Sequence, residues 1–285
     1  MSKVVLVAES GADIPAEAAA RYGIQIVPMH VSFGTVSRDD GSFPAEEVCR
    51  YYQQTKDLPK TSASTPEDFT RVFDRIHAAA PEAQILHLAY SAVTTCSFQS
   101  GLLAAEGRDY VTSVDTKMVS AGQYAVVLRI ARLLAEHPEW GLSESKAAAE
   151  DLIPRCRMCF VPDTMEFLRA GGRVSNAAAL CGKLLGIHPV IEILDGYLKA
   201  THKPRGYMKK IAPKLLEDYV ERESLEREEI WLIRTPGLAL DTQAAVEKTA
   251  QWMGIGTIHW VDTGGVITCH GGPGAFGVAG FARQM

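Results

Sequence analysis

The sequence predicts an α/β protein with two domains: an N-terminal, largely parallel sheet flanked by helices, and a C-terminal α/β domain with antiparallel strands. In the first half, short apolar runs alternate with amphipathic segments, which is typical of a parallel sheet covered by helices. In the second half, Asp195-Gly196 separates two apolar runs and suits a type I′ hairpin turn. The 285 residues fit two domains of roughly 150 residues each. We therefore predict domains at residues 1–155 and 156–285.

The first half contains strand and helix patterns in regular order. The predicted elements are strand Val4–Val7, helix Pro15–Tyr22, strand Ile24–Val27, helices Ala45–Gln53 and Pro66–Ala79, strand Ile85–Leu88, helix Phe98–Glu106, strand Tyr110–Val114, and helices Ser120–Glu136 and Ser143–Ile153. Ligands of such sheets bind at the carboxyl ends of the strands. We expect the functional residues there.

The second half ends in a glycine-dense turn that carries a histidine. Its predicted elements are helices Thr164–Arg169 and Asn176–Leu185, strands Val190–Leu194 and Tyr197–Ala200, helix Tyr207–Glu223, strand Ile230–Ile233, helix Asp241–Met253, and strands Thr257–Val261 and Gly265–Thr268. The turn Cys269–Ala275 follows the last of these and contains His270. With so little side-chain bulk, it can bring backbone N–H groups and an imidazole close to a small anion.

Composition and charge exclude several classes of protein. The hydrophobic share is 47% and the charged share is 22%. Because the net charge is −5 and the chain has no dense Lys/Arg block, we expect no nucleic-acid partner. We also expect no stable membrane insertion, because no apolar stretch approaches the length of a membrane span. The first apolar run is too short for an export signal, and the six cysteines are scattered, which indicates a cytoplasmic protein with reduced thiols. The histidines lack a shared ligand spacing, so we predict no metal.

Two hydroxyl-rich segments are candidate anion sites. Thr61 and Ser62 precede Ser64-Thr65-Pro66, where Ser64 or Thr65 is a good helix N-cap. Capping does not account for Thr61 and Ser62, whose hydroxyls can face an anion near the helix start.

The second hydroxyl-rich segment follows strand Ile85–Leu88 and precedes a helix. Its candidate residues are Ser91, Thr95 and Ser97. Hydroxyls and free N–H groups at such a turn can hold a carboxylate or an oxyanion. Helix capping by Thr95 or Ser97 is the alternative role.

A third segment, Asp163–Ser175, has mainly structural signals. Gly171-Gly172 is expected to end one helix and Ser175 to cap the next. Arg173 can pair with an acid across this turn.

In this order, and across nearly the whole chain, these segments resemble the DegV family of bacterial fatty-acid-binding proteins. The family's opening Thr-Asp-Ser resembles Ala8-Glu9-Ser10. The other matching segments are Thr61–Pro66, Ser91–Ser97, Asp115-Thr116, Leu168–Arg173, Asp195-Gly196 and the terminal His270–Gly274. The last two of these are the most specific in combination.

The resemblance implies a carrier that binds a long-chain fatty acid and presents it to a fatty acid kinase for acyl-phosphate formation and phospholipid synthesis. The carboxylate would be held at the domain junction and the tail in the second domain, with no cofactor and no catalytic residue. The implied carboxylate ligands are Thr61, Ser62, Ser91, Thr95, Ser97 and His270. Arg173 and Arg205 match basic positions that would contact the kinase or a phosphate.

The chain departs from the family pattern in the same loops. Glu9 stands at an Asp position, Ala92 at a Ser position and Cys96 at a Gly position. A β-carbon at position 96 can narrow the approach to the ligand or require another backbone angle.

The alternative function is an acyl hydrolase. A hydroxyl of Ser91–Ser97 would be the nucleophile, His270 the general base and the glycine turn the oxyanion hole. The chain has no Gly-x-Ser-x-Gly motif, and no acid that would orient His270 is evident.

Overall fold

The computed structural model describes residues 4–174 and 186–284. Its strands, in chain order, are β1 (Val4–Glu9), β2 (Gln25–Val27), β3 (His30–Phe33), β4 (Val36–Asp39), β5 (Lys60–Ser62), β6 (Gln84–Ala89), β7 (Val111–Asp115), β8 (Cys156–Val161), β9 (Val190–Leu194), β10 (Tyr197–His202), β11 (Glu229–Arg234), β12 (Thr257–Asp262) and β13 (Phe276–Phe281). Its helices are α1 (Ala16–Tyr22), α2 (Glu46–Thr55), α3 (Pro66–Ala79), α4 (Ser97–Ala105), α5 (Ser120–Glu136), α6 (Leu142–Leu152), α7 (Met165–Gly171), α8 (Met208–Arg222), α9 (Leu240–Trp252) and α10 (Gly265–Gly271).

The strands form three sheets. The parallel sheet has the order β2-β1-β6-β7. The mixed sheet has the order β10-β9-β8-β13-β11-β12, with antiparallel pairs except for the parallel pair of β11 and β12. The small sheet is antiparallel, with the order β4-β3-β5. The predicted α/β fold class is thus confirmed, whereas the domain boundary after residue 155 stays a prediction.

Helix α5 lies between the two larger sheets. It contacts β1 and β6 of the parallel sheet, and β8, β11 and β13 of the mixed sheet. Every residue from Ser120 to Leu128 is buried, as expected for a helix surrounded by protein. The largest core joins Leu88 of β6, Met158 of β8 and Trp231 of β11 around it. This shared core fixes one face of the mixed sheet beside the carboxyl ends of the parallel strands.

The sequence predicts the long helices accurately. The bounds of α3 and α5 match the prediction to the residue. Thr65 is the N-cap of α3: its Oγ1 accepts a hydrogen bond from the Asp68 N–H at 3.2 Å, and Asp68 Oδ2 accepts one from the Thr65 N–H at 2.9 Å. This reciprocal capping box, followed by Pro66, explains the sharp helix start.

The predicted hairpin between β9 and β10 is confirmed. Asp195 and Gly196 have φ values of 49° and 83°, the left-handed pair that a type I′ turn requires. The register joins Leu194 to Tyr197 on either side of the turn.

The prediction of a strand at Gly265–Thr268 is wrong, because this run begins α10. Asp40 Oδ1 accepts hydrogen bonds from the N–H groups of Gly265 at 2.7 Å and Val266 at 3.3 Å. These carboxylate contacts satisfy N–H groups that a helix start leaves unpaired. An apolar run of four residues does not by itself distinguish a strand from a helix. The glycine turn therefore connects α10 to β13, and His270 lies in the last turn of a helix.

Neither the small sheet nor β13 is predicted from the sequence. The strands of the small sheet have three or four residues and are largely half-buried or exposed, so they show little apolar alternation. The predicted helix Asn176–Leu185 and the cap at Ser175 lie outside the described residues. Within residues 4–174 and 186–284, no helix combines the length and the apolar character needed to cross a membrane.

Candidate functional site

Thr61 and His270 meet where the small sheet touches α10. Thr61 lies on β5, and its Oγ1 is 2.9 Å from Nε2 of His270. Burial, and to a smaller extent the positive charge of Arg173, lowers the pKa of His270 to about 4. The imidazole is therefore neutral at neutral pH and carries one N–H. Its Nδ1 is buried and has no hydrogen-bond partner among the described residues.

Gly171, at the end of α7, gives the His270 ring its space. A β-carbon at this position would lie 2.3 Å from His270 Nδ1, closer than two such atoms can approach. The next residue, Gly172, has φ +63° and forms the left-handed C-cap of α7. The predicted helix end at Gly171-Gly172 is thus correct, and Gly171 has a second role beside the imidazole.

A narrow, mostly apolar cavity of about 790 Å³, counting its open mouth, lies against the pair. Six of its polar lining residues are here called the polar wall: Thr61, Ser62, Thr94, Thr95, Arg173 and His270. The apolar lining residues from the mixed sheet and the start of α5 are here called the apolar wall: Val119, Met158, Phe160, Leu198, Ile233 and Phe276.

The register of the mixed sheet produces the apolar wall. Ile233 pairs with Gly277, which in turn pairs with Phe160, so these three residues share one face. A β-carbon on Gly277 would lie 2.8 Å from Ile233 Cδ1 and 3.0 Å from Phe160 Cβ. Glycine thus lets the two larger side chains stand close together beside the cavity.

The loop between β6 and α4 contributes hydroxyls to the polar wall. Thr94 and Thr95 line the cavity, whereas Ser97 lies behind them and is buried. Ser97 Oγ accepts a hydrogen bond from the Ser64 N–H at 3.2 Å and lies 3.2 Å from Thr95 Oγ1. Ser97 therefore ties this loop to the segment that precedes α3. The structure places Thr95 in the cavity wall and Ser97 in its support.

Ser91 does not line this cavity. Its side chain is fully buried, and its Oγ donates a hydrogen bond to the Gly196 carbonyl at 2.9 Å. A β-carbon on Gly196 would lie 2.6 Å from Ser91 Oγ, so serine and glycine pack tightly here. Ser91 thus joins the β6–α4 loop to the β9–β10 hairpin.

The two candidate arginines lie in different places. Arg173 is exposed, lines the cavity and donates a hydrogen bond to the Gly171 carbonyl at 2.7 Å. Arg205 lies in a separate surface groove beside α8, together with Lys210 and Lys214. Only Arg173 of these two is part of the site around His270.

The departures at Glu9 and Cys96 have clear structural outcomes. Buried Glu9 accepts hydrogen bonds from the Tyr90 N–H and from Gln123 Nε2, both at 2.8 Å, and thereby holds the start of the β6–α4 loop. Burial alone would raise the pKa of Glu9, but His87 and these donors outweigh it and lower the pKa. Cys96 is exposed, lies outside the cavity lining and has φ −81°, an ordinary backbone angle for a residue with a β-carbon.

The residues of the apolar wall are not predicted from the sequence. The alternation of Met158 and Phe160 on β8 was the available signal, but it does not reveal which face of a strand lines a cavity. The carboxylates Asp13 and Asp40 are not predicted either, because they reach the start of α10 only through tertiary contacts.

Comparisons with known proteins agree with this architecture. The family model described as "Uncharacterised protein, DegV family" matches residues 3–283. A DegV domain-containing protein of Deinococcus radiodurans is 30% identical over 279 residues, which cover 97% of each chain. A protein of Thermotoga maritima named "Fatty acid-binding protein" is 26% identical, with 96% of each chain covered. The solved structure "Fatty Acid Binding of a DegV family Protein from Thermus thermophilus" has a TM-score of 0.87 and 30% identity, and the match covers 99% of this chain and 100% of that chain. This chain belongs to the DegV family.

Proposed function

We propose that this protein binds a long-chain fatty acid, with the carboxylate at the polar wall and the tail along the apolar wall. The observation that carries the proposal is the pairing of Thr61 with a neutral His270 in the wall of a narrow, mostly apolar cavity. A molecule that suits this cavity has one small hydrogen-bond acceptor and a long hydrocarbon chain.

The polar wall is chemically suited to a carboxylate. Thr61, Thr95 and the neutral imidazole can supply O–H and N–H donors, and Arg173 adds a positive charge. The Thr94 hydroxyl is not such a donor, because it donates its hydrogen bond to the Ser91 carbonyl at 2.9 Å. Hydrogen bonds to a charged group contribute roughly 1.5–3 kcal/mol each. That is enough to orient a fatty acid and to select it over a neutral lipid.

The tail would provide most of the affinity. Burial of a sixteen-carbon chain contributes on the order of 12 kcal/mol at about 0.8 kcal/mol per methylene, before the ordering and translational costs are subtracted. The apolar wall offers Met158, Phe160 and Ile233 for this contact.

Family membership supports the same class of ligand. The relatives from Thermotoga maritima and Thermus thermophilus carry fatty acid binding in their descriptions, and both align over nearly the whole chain. The proposed ligand is therefore a long-chain fatty acid.

A fatty acid kinase is the partner that we propose. Ser62 and Arg173 are exposed members of the polar wall, so a bound carboxylate would remain within reach of a second protein. Arg173 can contact this partner or an acyl phosphate, and Arg205 can contact only a partner that extends to its separate groove. The protein would then be a cytoplasmic carrier for phospholipid synthesis, with head-group loops in residues 1–155 and the tail in residues 156–285.

An acyl hydrolase has less support. The hydroxyl beside His270 belongs to Thr61, whereas Ser91 donates its hydrogen bond to Gly196. Nδ1 of His270 has no carboxylate partner in the described part of the chain, although a general base of this kind is usually oriented by an acid. A fluorophosphonate probe tests this alternative, because covalent labelling of Thr61 or Ser91 would support the hydrolase.

The proposed function can be tested by mass spectrometry of the purified protein. Native and denaturing spectra should reveal a fatty acid bound at one per chain, or the delipidated protein should bind palmitate in a titration. Hexadecanol is the control ligand, because it keeps the tail and lacks the carboxylate. A protein that carries no fatty acid and does not bind palmitate would overturn the proposal.

A further inference from the structure

The small sheet holds α10 at both ends. Asp40 follows directly after β4 and accepts hydrogen bonds from the first N–H groups of α10, whereas Thr61 of β5 contacts His270 in its last turn. Strand β3 lies between β4 and β5, and its Val31 is buried in one core with Val266 and Cys269 of α10. The helix therefore lies across the sheet with one face packed on β3.

The length of α10 agrees with the width of the small sheet. A seven-residue helix is about 10 Å long, at 1.5 Å per residue. The two outer strands of a three-stranded sheet are also about 10 Å apart, at ~4.8 Å per strand. A shift of the helix start along its axis would consequently move His270 relative to Thr61.

We propose that Asp40 is a positioning residue for the carboxylate site: it fixes the start of α10 and thereby sets the contact between His270 and Thr61. This inference rests on the proposed function, since it assigns to Asp40 a role in recognition of the fatty acid head group. Asp40 itself lies outside the cavity lining.

Asp40 is itself held in place by other groups. It is only 6% exposed, and Ser10 Oγ donates a hydrogen bond to its Oδ2 at 2.9 Å. Ser10 Oγ in turn accepts a hydrogen bond from the Met29 N–H at 3.0 Å. On the adjacent side, Asp13 Oδ1 accepts a hydrogen bond from the Gly264 N–H at 2.7 Å. The start of α10 is therefore bound by two buried carboxylates.

Asparagine is the appropriate replacement for Asp40. Burial raises the pKa of Asp40 despite its hydrogen bonds, which means that the surroundings oppose its charge, and a neutral side chain of the same size should be accommodated. The amide oxygen of asparagine can still accept hydrogen bonds from the N–H groups of α10, but these bonds are weaker than those to a carboxylate. The amide nitrogen would take the place of the oxygen that now accepts the hydrogen bond from Ser10 Oγ.

The experiment compares the affinities for palmitate and hexadecanol in wild type, Asp40→Asn and the control Asp39→Asn. Asp39 is the adjacent acid, but it is exposed and contacts His30 rather than α10. In Asp40→Asn we expect the affinity for palmitate to fall about tenfold, as for a weakened charge-assisted contact, with less than about twofold change for hexadecanol. The pKa of His270, measured by NMR, should rise towards its ordinary value. An unchanged ratio of the two affinities in Asp40→Asn would overturn the inference.

A second variant covers the case that Asp40→Asn does not fold. Ser10→Ala removes one hydrogen bond from Asp40 and leaves both contacts to α10, so we expect the palmitate-to-hexadecanol ratio to fall about threefold. An unchanged ratio in Ser10→Ala would then count against the positioning role. If wild type binds neither ligand, the proposed function itself fails, and this outcome is distinct from failure of the positioning role.

Discussion

The hydroxyl of Thr61 lies 2.9 Å from Nε2 of His270, although the two residues are 209 positions apart in the chain. Thr61 is placed by the small sheet, and His270 by helix α10, which connects β12 and β13 of the mixed sheet. Neither residue forms the site without the other half of the chain. The polar wall therefore depends on how the two halves pack together.

Loss of the Thr61 hydroxyl should weaken fatty acid binding. Thr61→Val keeps the branched shape but leaves His270 Nε2 without its partner, so we expect about five- to tenfold weaker palmitate binding by calorimetric titration. Thr61→Ser should stay near wild type. Thr257→Val, on the distant edge strand β12, is the control. Palmitate affinity within twofold of wild type in Thr61→Val would contradict the role of this hydroxyl.

Gly171→Ala should displace the imidazole without unfolding the protein. The new β-carbon would lie 2.3 Å from Nδ1 of His270, so the ring must move, while alanine itself favours the helix. We expect palmitate affinity to fall at least about tenfold, since head-group hydrogen bonds to a charged ligand are lost. Gly172→Asn is the control, because asparagine tolerates the left-handed conformation and nothing lies within 4 Å of that position. Equal palmitate affinities for the two variants would show that the ring does not need its present position.

Filling the apolar wall should shift the preferred chain length. Ile233→Phe adds volume next to Phe160 and the cavity, so we expect palmitate affinity to fall about tenfold relative to laurate. Leu232→Phe is the matched control. Leu232 lies on the opposite face of β11, in a different hydrophobic core from Ile233, and the larger side chain should cause similar overpacking there. If both variants change the palmitate-to-laurate ratio equally, the tail does not lie along the Ile233 face.

Fatty acid affinity should be nearly independent of pH between pH 6 and 8. The pKa of His270 is lowered to about 4, so the imidazole stays neutral throughout this range and its N–H donation does not change. Binding of a soluble fatty acid at pH 6, 7 and 8 should agree within about twofold. A decline of tenfold as the pH rises would mean that His270 binds the ligand in its protonated form.

Glu229 should contribute to stability above pH 4.5, and this contribution should be lost in acid. Burial by itself raises the pKa of Glu229, but hydrogen bonds from His259 and Arg132 and the charges of Arg129 and Arg132 outweigh it and lower the pKa to about 2. Between pH 4.5, the ordinary pKa of a glutamate, and pH 2, the folded state therefore binds fewer protons than the unfolded state. The free energy of unfolding consequently falls as the pH falls through this range.

Urea unfolding of wild type and Glu229→Gln at pH 7 and pH 3.5 measures this effect. The variant should be less stable by about 3 kcal/mol at pH 7, because Arg129 and Arg132 lose a partly buried partner. This difference should shrink by about 1 kcal/mol at pH 3.5. Glu228→Gln, an exposed neighbour, should match wild type at both values. A constant difference would mean that Glu229 does not titrate in this way.

The sequence determined the elements whose signals are local. The sequence predicts α3 and α5 to the residue, since a candidate N-cap at Ser64 or Thr65 followed by Pro66 marks the start of α3 and a long helical pattern marks α5. Asp195-Gly196 predicted its turn because few residue pairs adopt two successive positive φ values. The order of such segments also sufficed to relate the chain to its family.

The tertiary structure decided how these segments meet. Gly265–Thr268 starts a helix, in which Asp40, the residue directly after β4, accepts the first N–H groups. Ser91 turns to the Gly196 carbonyl, while Thr61 turns to His270. A hydroxyl is equally able to bind a ligand or a backbone carbonyl, and the choice depends on which group packing brings within 3 Å. Residue types and spacings do not contain that information, so the candidate residues could be predicted but not their division between cavity wall and support.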